Sequence, residues 1–209
     1  AIVGADLTLP NGRILVLVKD RNGYQNLCKL ITESKAGREK GDTLVTFAQL
    51  EEYASGLLAI GNEYELDRLS GIFPDYYIEI GRHYDRAEEK QNQRLMALAA
   101  QRKLPLVATN DVRYAQAARV DLCDVLTCIR EGTTLDAAGT LLQKNAERHL
   151  KSAVEMRRLF RDLPEACDNT VKIAAKCVFT LKDLGYRFPD YPVPEGETLF
   201  SYLKLLVDE

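Results

Sequence analysis

The stretch LPLVATNDVRY, residues 104–114, indicates the fold class of this chain. A short apolar run ends at two polar residues, Asn110 and Asp111, as expected of a buried strand whose carboxyl end reaches the edge of a sheet. In α/β enzymes that edge is where reacting groups collect. Arg113 follows two residues later, so the stretch raises the question whether Asp111 binds a metal ion or pairs with an arginine.

Outward from this stretch, short apolar runs alternate with segments of helical periodicity. A helix predicted over about residues 85–102 leads into LPLVAT. Strands that alternate with helices at this interval are typical of parallel βαβ units, and Pro10-Asn11-Gly12 predicts a turn between the first two strands. The predicted fold class is α/β. The runs assigned to the other strands are IVGADLTL, RILVLV, GLLAI and DYYIEI, with further helices predicted from about 24, over 47–53 and over 63–70.

Helical periodicity dominates the second half of the chain. One helix is predicted over residues 117–130, because apolar residues recur there at i, i+3, i+4 and i+7. Ser152 and Glu155 have the spacing of a capping box for the next helix. Pro164 is suited to open another, since proline is favoured in the first turn. The apolar residues of the first helix are Leu122, Val125, Leu126 and Ile129, and the stripe predicted after Pro164 is Ala166, Thr170, Ile173, Ala174 and Cys177.

The stretch YRFPDYPVPEGET, residues 186–198, is rich in proline and aromatic residues. Such a composition predicts an extended connector. A last helix is predicted over residues 198–207. That helix ends without a glycine cap and the first strand begins at residue 1, so we expect the chain to be part of a longer protein.

Composition and charge exclude several classes of protein. With 209 residues, 46% of them hydrophobic, the chain is large enough for one or two domains with a core. No apolar run approaches the roughly 20 residues that cross a bilayer. A net charge of −3 gives no general attraction to polyanions. We therefore expect a soluble protein with no membrane partner. The clustered basic residues, assigned to solvated faces, are Lys35, Arg38, Lys40, Arg157, Arg158 and Arg161.

Cysteine usage indicates a reducing compartment. The 5 cysteines are an odd number, and no two of them form a CxxC pair. This pattern is expected of reduced thiols in a cytoplasm. Several lie among apolar residues at helical spacing, which predicts small buried core residues instead of zinc ligands. They are Cys28, Cys123, Cys128, Cys167 and Cys177.

Four polar residues lie at the carboxyl ends of predicted strands. Asp6 is near the end of the first strand, Glu79 and His83 are at the end of DYYIEI, and Asp111 follows LPLVAT. Three carboxylates and an imidazole at one edge would suit a divalent ion such as zinc or manganese, which could activate a water for phosphoester hydrolysis. The structural alternative stays open, because an aspartate after a strand often caps a helix and a lone histidine often only forms hydrogen bonds. The sequence contains neither a GxSxG nucleophile elbow nor a GxxxxGK phosphate loop.

Several stretches, taken in order, resemble one family. They are VGADLTL, LVKDRNGYQNLCKLIT, DYYIEIGRH, LPLVATNDVRY, DVLTCIREGTTL and NAERHLKSAVEMRRLFRDLPEACDNTVKIAAKC. Together they cover nearly the whole chain and look like the PHP (polymerase and histidinol phosphatase) region of bacterial family C DNA polymerases, the DNA polymerase III alpha subunits. DVLTCIREGTT and LQKNAERHLKS look closer to the error-prone paralogue than to the main replicative subunit.

The resemblance implies a partial, distorted (β/α)7 TIM-like PHP barrel followed by a helical and extended C-terminal segment. Residues 1–115 would hold the barrel strands and helices, with the N-terminal part missing. Residues 116–185 would be the helical remainder of the PHP region. Residues 186–209 would be the proline-rich connector and the helix that lead toward the polymerase palm.

The resemblance also implies a cluster of metal ligands at the strand ends, which can act as a 3′–5′ exonuclease where it is intact. By position, Asp6, His83 and Asp111 match ligands of that cluster. The family's HxH pair would lie upstream of residue 1, and two further histidines are replaced by Ile14 and Arg113. A guanidinium stays protonated and repels a cation. We therefore expect a degenerate metal site, in which Arg113 pairs with Asp111 or with Asp6.

The function implied by the resemblance is that of a fragment of a bacterial, error-prone, DNA-directed DNA polymerase, a transferase of replication, repair and translesion synthesis. The carboxylates that bind the polymerase's magnesium belong to the palm, beyond Glu209, so no catalytic residue is assigned here. Expected partners are the palm and thumb in cis, DNA and deoxynucleoside triphosphates, and a sliding clamp or other repair-polymerase partners. The expected compartment is the cytoplasm. No cofactor is assigned with certainty to this chain, and zinc or manganese is the metal that the degenerate site would hold if it binds one.

Two alternatives stay open at this point. One is a free-standing, metal-dependent PHP phosphoesterase or 3′–5′ exonuclease, which would need the HxH pair and a histidine near position 113. The other is an interaction module that binds a partner through the YRFPDYPVPEG arm. A folded, well-packed arm would argue against this second alternative, because docking arms are usually mobile when free.

Overall fold

The computed structural model describes residues 1–39, 41–185 and 191–208. The chain divides into two compact units, residues 1–179 and residues 180–209. The first unit contains all the strands of the described residues and the candidate functional site.

Five strands of the first unit form one mixed sheet. They are β1 (Gly4–Leu9), β2 (Gly12–Val18), β3 (Leu57–Gly61), β4 (Tyr76–Gly81) and β5 (Leu106–Thr109). The strands pair in the order β1-β2-β3-β4-β5. β1 and β2 form a hairpin at the predicted turn, and β2 pairs antiparallel with β3. β3, β4 and β5 are parallel to one another.

The helices of this unit lie between the strands and after β5. They are α1 (Arg21–Lys35), α2 (Phe47–Tyr53), α3 (Leu66–Ile72), α4 (Arg86–Arg102), α5 (Val120–Glu131), α6 (Leu135–Ala138), α7 (Ala153–Leu159) and α8 (Pro164–Lys176). The α/β class is confirmed. Parallel pairing holds only for β3 to β5. The tight turn after β1 reverses the chain, so that β2 runs antiparallel to both of its neighbours, β1 and β3. The PHP barrel stays a prediction.

The core lies on both faces of the sheet, and β3 is at its centre. All residues of β3 are buried, as expected of a strand with a neighbour on each side and both faces covered. Leu57 and Ala59 belong to a larger apolar cluster that includes residues of α1 and α4. Leu58 and Ile60 belong to a smaller cluster that Ile173 of α8 completes.

Helices α7 and α8 begin where the sequence predicts. Ser152 caps α7, and the Glu155 carboxylate accepts a hydrogen bond from the Ser152 backbone N–H at 2.7 Å, so the predicted capping box is present. Pro164 is the first residue of α8. The stripe predicted for α8 is wrong at Thr170 and Ala174, which are exposed.

The buried face of α8 differs from the predicted stripe because it includes a polar anchor. Asn169 is buried, and its side-chain N–H donates to the Leu106 carbonyl oxygen of β5 at 2.8 Å. Ala166, Cys167 and Ile173 are buried on the same helix. A prediction from apolar residues alone leaves out Asn169. It selects Thr170, the next residue, which is exposed.

Cysteines and clustered basic residues follow the predictions in part. Cys128 and Cys167 are buried as expected, whereas Cys28 is exposed. Cys28 lies one position past Leu27 on α1, outside the 3- and 4-residue spacing of the residues that face the core, which are Gly23, Leu27, Leu30 and Ser34. The basic residues predicted on solvated faces are exposed at the positions that the structure describes, and Lys40 lies outside them.

The second unit contains a short 3-10 helix, Leu181–Asp183, and helix α9 (Leu199–Asp208), which confirms the last predicted helix. Residues 186–190 of the predicted connector lie outside the described residues. Residues 191–198 have no helix or strand, and the rings of Tyr191 and Tyr202 lie 6.4 Å apart. In the parts of the chain that the structure describes, no helix is both long and apolar enough to cross a membrane.

A charge network around Asp75 ties the end of α8 to the sheet. The Asp75 carboxylate accepts hydrogen bonds from Lys176 and, at 2.7 Å, from Lys19. These two bonds, the first above all, hold the pKa of Asp75 below its ordinary value. Just past α8, the Phe179 ring stacks on Tyr24 of α1 with 4.7 Å between the centroids. The C-terminal end of α8 is therefore fixed beside α1.

Two glycines permit a very close backbone contact between α1 and the start of β3. A Cβ atom on Gly23 would lie 2.0 Å from the carbonyl oxygen of Gly56. Gly56 has a φ of +75°, a left-handed conformation that glycine adopts without strain. The Gly23 N–H donates to the Asp20 side chain at 2.9 Å, which caps α1. The sequence DRNG therefore leaves no space for a side chain at its last position.

We predict that Gly23→Ala destabilises the fold by about 1 to 3 kcal/mol, because the added methyl group forces two backbones apart. Gly71→Ala is the matched control, since a Cβ there meets no atom within 4 Å. Alanine in helix α3 should be neutral or stabilising by less than about 1 kcal/mol. Urea unfolding followed by circular dichroism measures both. Equal effects of the two substitutions would contradict the close contact.

Candidate functional site at the carboxyl ends of the parallel strands

The carboxyl ends of β4 and β5 lie side by side, because Gly81 pairs with Thr109 in the parallel ladder. The chain leaves the sheet at that edge through residues 82–85 and 110–114. These are the segments that hold His83 and Asp111.

Asn110 fixes a distant segment, residues 145–150, beside the sheet edge. Its side chain is buried, and its Nδ2 donates to the carbonyl oxygens of Glu147 at 3.0 Å and His149 at 2.6 Å. One buried amide thus satisfies two backbone carbonyls of a loop that lies 37 and 39 residues further along the chain.

Backbone pairing continues the contact made by Asn110. Tyr114 and His149 form a short parallel bridge. The N–H of Arg113 donates to the Arg148 carbonyl at 2.8 Å, and the N–H of Leu150 donates to the Tyr114 carbonyl at 3.1 Å. This pairing places the side chain of Arg148 next to Asp111.

His83 is buried, and both of its ring nitrogens face oxygen acceptors. Nδ1 lies 2.6 Å from the Glu88 carboxylate, and Nε2 lies 3.1 Å from the carbonyl oxygen of Asn110. The backbone N–H of His83 also donates to Glu88 at 2.6 Å. A metal ion needs a free nitrogen lone pair. The ring of His83 is instead used to connect α4 with the end of β5.

Asp111 contacts two arginines. Its Oδ2 accepts a hydrogen bond from Arg113 Nη2 at 2.9 Å and a second from Arg148 Nη1. The backbone of Asp111 is left-handed, with φ +34°, a region that aspartate tolerates better than most residues. Two guanidinium groups on one carboxylate leave a local excess of positive charge at the position where a cation would have to bind.

The two remaining candidate ligands also have protein partners. Asp6 on β1 accepts a hydrogen bond from Arg13 on β2 at 2.9 Å, and both side chains are about half exposed. Glu79 on β4 accepts from the hydroxyl group of Thr109 at 2.6 Å. The alternative pairing of Arg113 with Asp6 is therefore not the one seen, because Arg13 pairs with Asp6.

Two clefts open at this edge, and Asp111 lines both. Asp6, Glu79 and Arg13 line the first with Asp111, and its volume is about 270 Å³. His83, Arg113 and Arg148 line the second with Asp111, and its volume is about 350 Å³. The structure thus separates Asp6 and Glu79 from His83 instead of gathering all the predicted ligands around one point.

The donor set does not fit a zinc or manganese ion. Among the residues that the structure describes, no three His, Cys, Asp or Glu side chains are placed to hold a metal ion. Each predicted ligand is directed at a hydroxyl, a carbonyl, a carboxylate or a guanidinium of the protein itself. We derive no chemical step through a metal at this edge.

Arg82, beside His83, ties β4 to the turn between α7 and α8. Its guanidinium donates two hydrogen bonds to the Asp162 carboxylate, at 2.5 and 2.8 Å, and one to the Leu159 carbonyl at 2.9 Å. The Arg82 hydrogen bonds hold the pKa of Asp162 below its ordinary value. The guanidinium also lies 5.0 Å from the centre of the Phe160 ring. Arginines therefore hold this edge at two places, Arg82 through Asp162, and Arg113 and Arg148 through Asp111.

Three residues that hold the site were not singled out from the sequence. They are Glu88, Asn145 and Arg148. Asn145 donates to the His83 carbonyl at 2.7 Å. The stretch LQKNAERHLKS, which contains Asn145 and Arg148, contributed to the family resemblance, and that was the one available signal.

Comparisons with known proteins find relatives along nearly the whole chain. No family model matches the chain. An error-prone DNA polymerase of Bradyrhizobium sp. (strain ORS 278) is 38% identical over 97% of this chain and 19% of its own length. The enzyme of that name from Rhodopseudomonas palustris (strain BisB5) is 37% identical over 100% of the chain and 20% of its own length. The chain belongs to the error-prone DNA polymerase family.

Membership in the error-prone DNA polymerase family confirms the family predicted from the motifs. A third relative, error-prone DNA polymerase 1 of Rhizobium meliloti (strain 1021), is 37% identical over 99% of this chain and 20% of its own length. The chain therefore spans about a fifth of the length of the error-prone DNA polymerases that it matches.

We predict that Asn110→Ala destabilises this region by about 1 to 3 kcal/mol, because the His149 carbonyl loses its donor, whereas the Glu147 carbonyl keeps its hydrogen bond from Lys151. Asn22→Ala is the matched control. It removes an exposed 3.0 Å hydrogen bond to Ser55 and should cost less than about 0.5 kcal/mol. Chemical denaturation of both variants measures the difference. A loss for Asn110→Ala no larger than that for Asn22→Ala would show that the amide does not hold residues 145–150.

Proposed function

We propose that this chain is the PHP region of a bacterial error-prone, DNA-directed DNA polymerase, and that it stabilises the polymerase without hydrolysing phosphoesters itself. The observation that carries the proposal is the match to error-prone DNA polymerases along nearly the whole chain. The full-length enzyme would transfer nucleotidyl groups from deoxynucleoside triphosphates to a primer end in DNA repair and translesion synthesis. Magnesium for that reaction would be held by palm carboxylates outside this chain.

The proposed partners follow from membership in the error-prone DNA polymerase family. In cis they are the palm and thumb of the polymerase, and in trans they are DNA, nucleotides and a sliding clamp or another repair-polymerase protein. The proposed compartment is the bacterial cytoplasm. A PHP barrel is supported by the parallel order of β3, β4 and β5 and by the parallel bridge of Tyr114 with His149 beyond β5.

The proposed role of the strand edge is structural. In a metal-bound edge, one cation would cross-link the strand ends. Here Asp111, Arg113 and Arg148 make that cross-link by ion pairs, and Asn110 makes it by hydrogen bonds. The Asp111 pairs are partly exposed, with 27% to 44% of the side-chain surface accessible, so each is worth about 1 kcal/mol or less.

A phosphoesterase or 3′–5′ exonuclease is the less supported alternative. It needs several ligands free to bind metal at one point. His83 is instead occupied on both ring nitrogens, and Asp111 is occupied by two arginines. The comparisons name polymerases and give this alternative no support.

The proposal is tested in the full-length polymerase with Asp111→Asn. We expect primer extension at moderate temperature to stay near that of the unchanged enzyme. Thermal inactivation should be up to about fivefold faster, which corresponds to about 1 kcal/mol. Neither enzyme should release 3′ nucleotides. Asp168→Asn is the matched control, because it removes an exposed pair with Arg157 at 3.2 Å and should leave the inactivation rate unchanged.

Two results of this experiment would contradict the proposal. If the full-length protein did not extend primers, its assignment as a polymerase would fail. If Asp111→Asn abolished a metal-dependent release of 3′ nucleotides and left thermal inactivation unchanged, the edge would be a hydrolytic site and its structural role would be wrong.

A further inference from the structure

Tyr84 lies in the turn between β4 and α4, directly after His83, and its ring is uncovered. The residue is 79% exposed. In the part of the chain that the structure describes, its side chain forms no hydrogen bond and no contact with another ring. The faces of an aromatic ring are apolar surfaces that other aromatic groups cover by stacking. Tyr84 therefore offers an open ring face beside the candidate functional site.

The backbone holds Tyr84 in an unusual conformation. Its φ is +55°, a left-handed value that is uncommon for a bulky residue. On one side, the His83 N–H donates to the Glu88 carboxylate at 2.6 Å, and the Asn145 side chain donates to the His83 carbonyl at 2.7 Å. On the other side, Asp85 caps α4. Residues that their surroundings hold in such conformations cluster at ligand-binding sites.

Two clefts meet beside Tyr84. Tyr84 lines a cleft of about 540 Å³. This cleft shares Asp85 and Glu88 with the cleft of about 350 Å³ that contains Arg113 and Arg148, so the two clefts adjoin. We call the two clefts together the Tyr84 groove. An extended ligand in this groove would contact the tyrosine ring and the two arginines at the same time.

The carboxylates of the Tyr84 groove have protein partners, whereas two of its guanidinium groups have none. The partners of the carboxylates are Lys144 for Asp85, His83 for Glu88, Arg82 for Glu89 and Asp162, and Arg113 and Arg148 for Asp111. The exposed guanidinium groups of Arg86 and Arg161 form no ion pair with any described residue. Two arginines on the single carboxylate of Asp111 add a further excess of positive charge. Positive charge is therefore available in both clefts for an anionic ligand.

We propose that the Tyr84 groove binds single-stranded DNA, with one base stacked on the Tyr84 ring and the neighbouring phosphates bound by arginines of the two clefts. Proteins bind single strands without sequence preference through this combination, in which aromatic rings stack on bases and cations follow the backbone. The inference rests on the proposed function, because an error-prone DNA polymerase works on a template strand. The groove gives that strand a binding site outside the palm.

The arrangement favours an unpaired strand over a duplex or a free nucleotide. In a duplex each base is paired and stacked on its neighbours, so no base face is open to Tyr84. The net charge of −3 also gives no general attraction to a duplex. A mononucleotide carries one phosphate group, which occupies only one of the two clefts, whereas a strand brings a phosphate to each.

The test illuminates the full-length polymerase with a subsaturating single-stranded oligonucleotide that contains 5-iododeoxyuridine, a base that links covalently to an aromatic ring stacked on it. Linked residues are mapped by mass spectrometry, and we expect a link at Tyr84. With Arg86→Gln and Arg161→Gln combined, its yield should fall about tenfold, because two charged donors to phosphate are lost. Arg130→Gln is the matched control. Arg130 pairs with Glu131 outside the groove, so this substitution should leave the yield unchanged.

Several results would overturn the proposal. One is no link at Tyr84, and another is an equal yield at Tyr191, which is 61% exposed in the second unit. An unchanged yield in the double substitution, equal linking by a blunt duplex, or equal competition by thymidine monophosphate at the same nucleotide concentration would also overturn it. Primer extension is measured on the same preparation, so that a missing strand contact and failure of the polymerase assignment give different results.

Discussion

The buried amide of Asn110 is the contact on which the carboxyl edge of the sheet depends. It holds the carbonyls of Glu147 and His149, and this brings residues 145–150 beside residues 110–114. The pairing of those two segments places Arg148 on Asp111, and the Asn110 carbonyl receives the ring of His83. One side chain thus organises both the backbone and the charges of the edge.

The ion pairs and the buried hydrogen bonds of this edge contribute different amounts to the free energy of unfolding. Each partly exposed ion pair of Asp111 contributes about 1 kcal/mol or less, whereas leaving a buried carbonyl without a donor costs about 1 to 3 kcal/mol. The hydrogen bonds of Asn110 therefore contribute more to stability than the arginines do. The arginines have a different consequence, since their charge opposes a cation at Asp111. We therefore propose that the hydrogen bonds of Asn110 stabilise the edge, and that the charge of the two arginines keeps a catalytic metal ion away from Asp111.

Local sequence signals predicted most of the fold, and non-local contacts explain what they missed. The capping box at Ser152 and the turn at Pro10-Asn11-Gly12 depend on neighbours within four residues, so the sequence alone was sufficient. The partner Arg148 lies 37 residues from Asp111, and no pattern in the sequence joins them. Periodicity predicted helix α5 correctly. It could not show which face is covered, because its predicted apolar residues are exposed and the opposite face is held by the contact of Asp124 with Gln143.

We propose that protein contacts hold this edge without a metal ion. The most direct test of this proposal is the thermal unfolding midpoint of residues 1–209, measured in chelator and then with zinc or manganese added in excess. A ligand that binds the folded state raises the midpoint in proportion to the logarithm of its concentration. We expect the same midpoint in all three conditions. A midpoint that rises with zinc or manganese, and no longer rises in Asp111→Asn, would contradict the proposal.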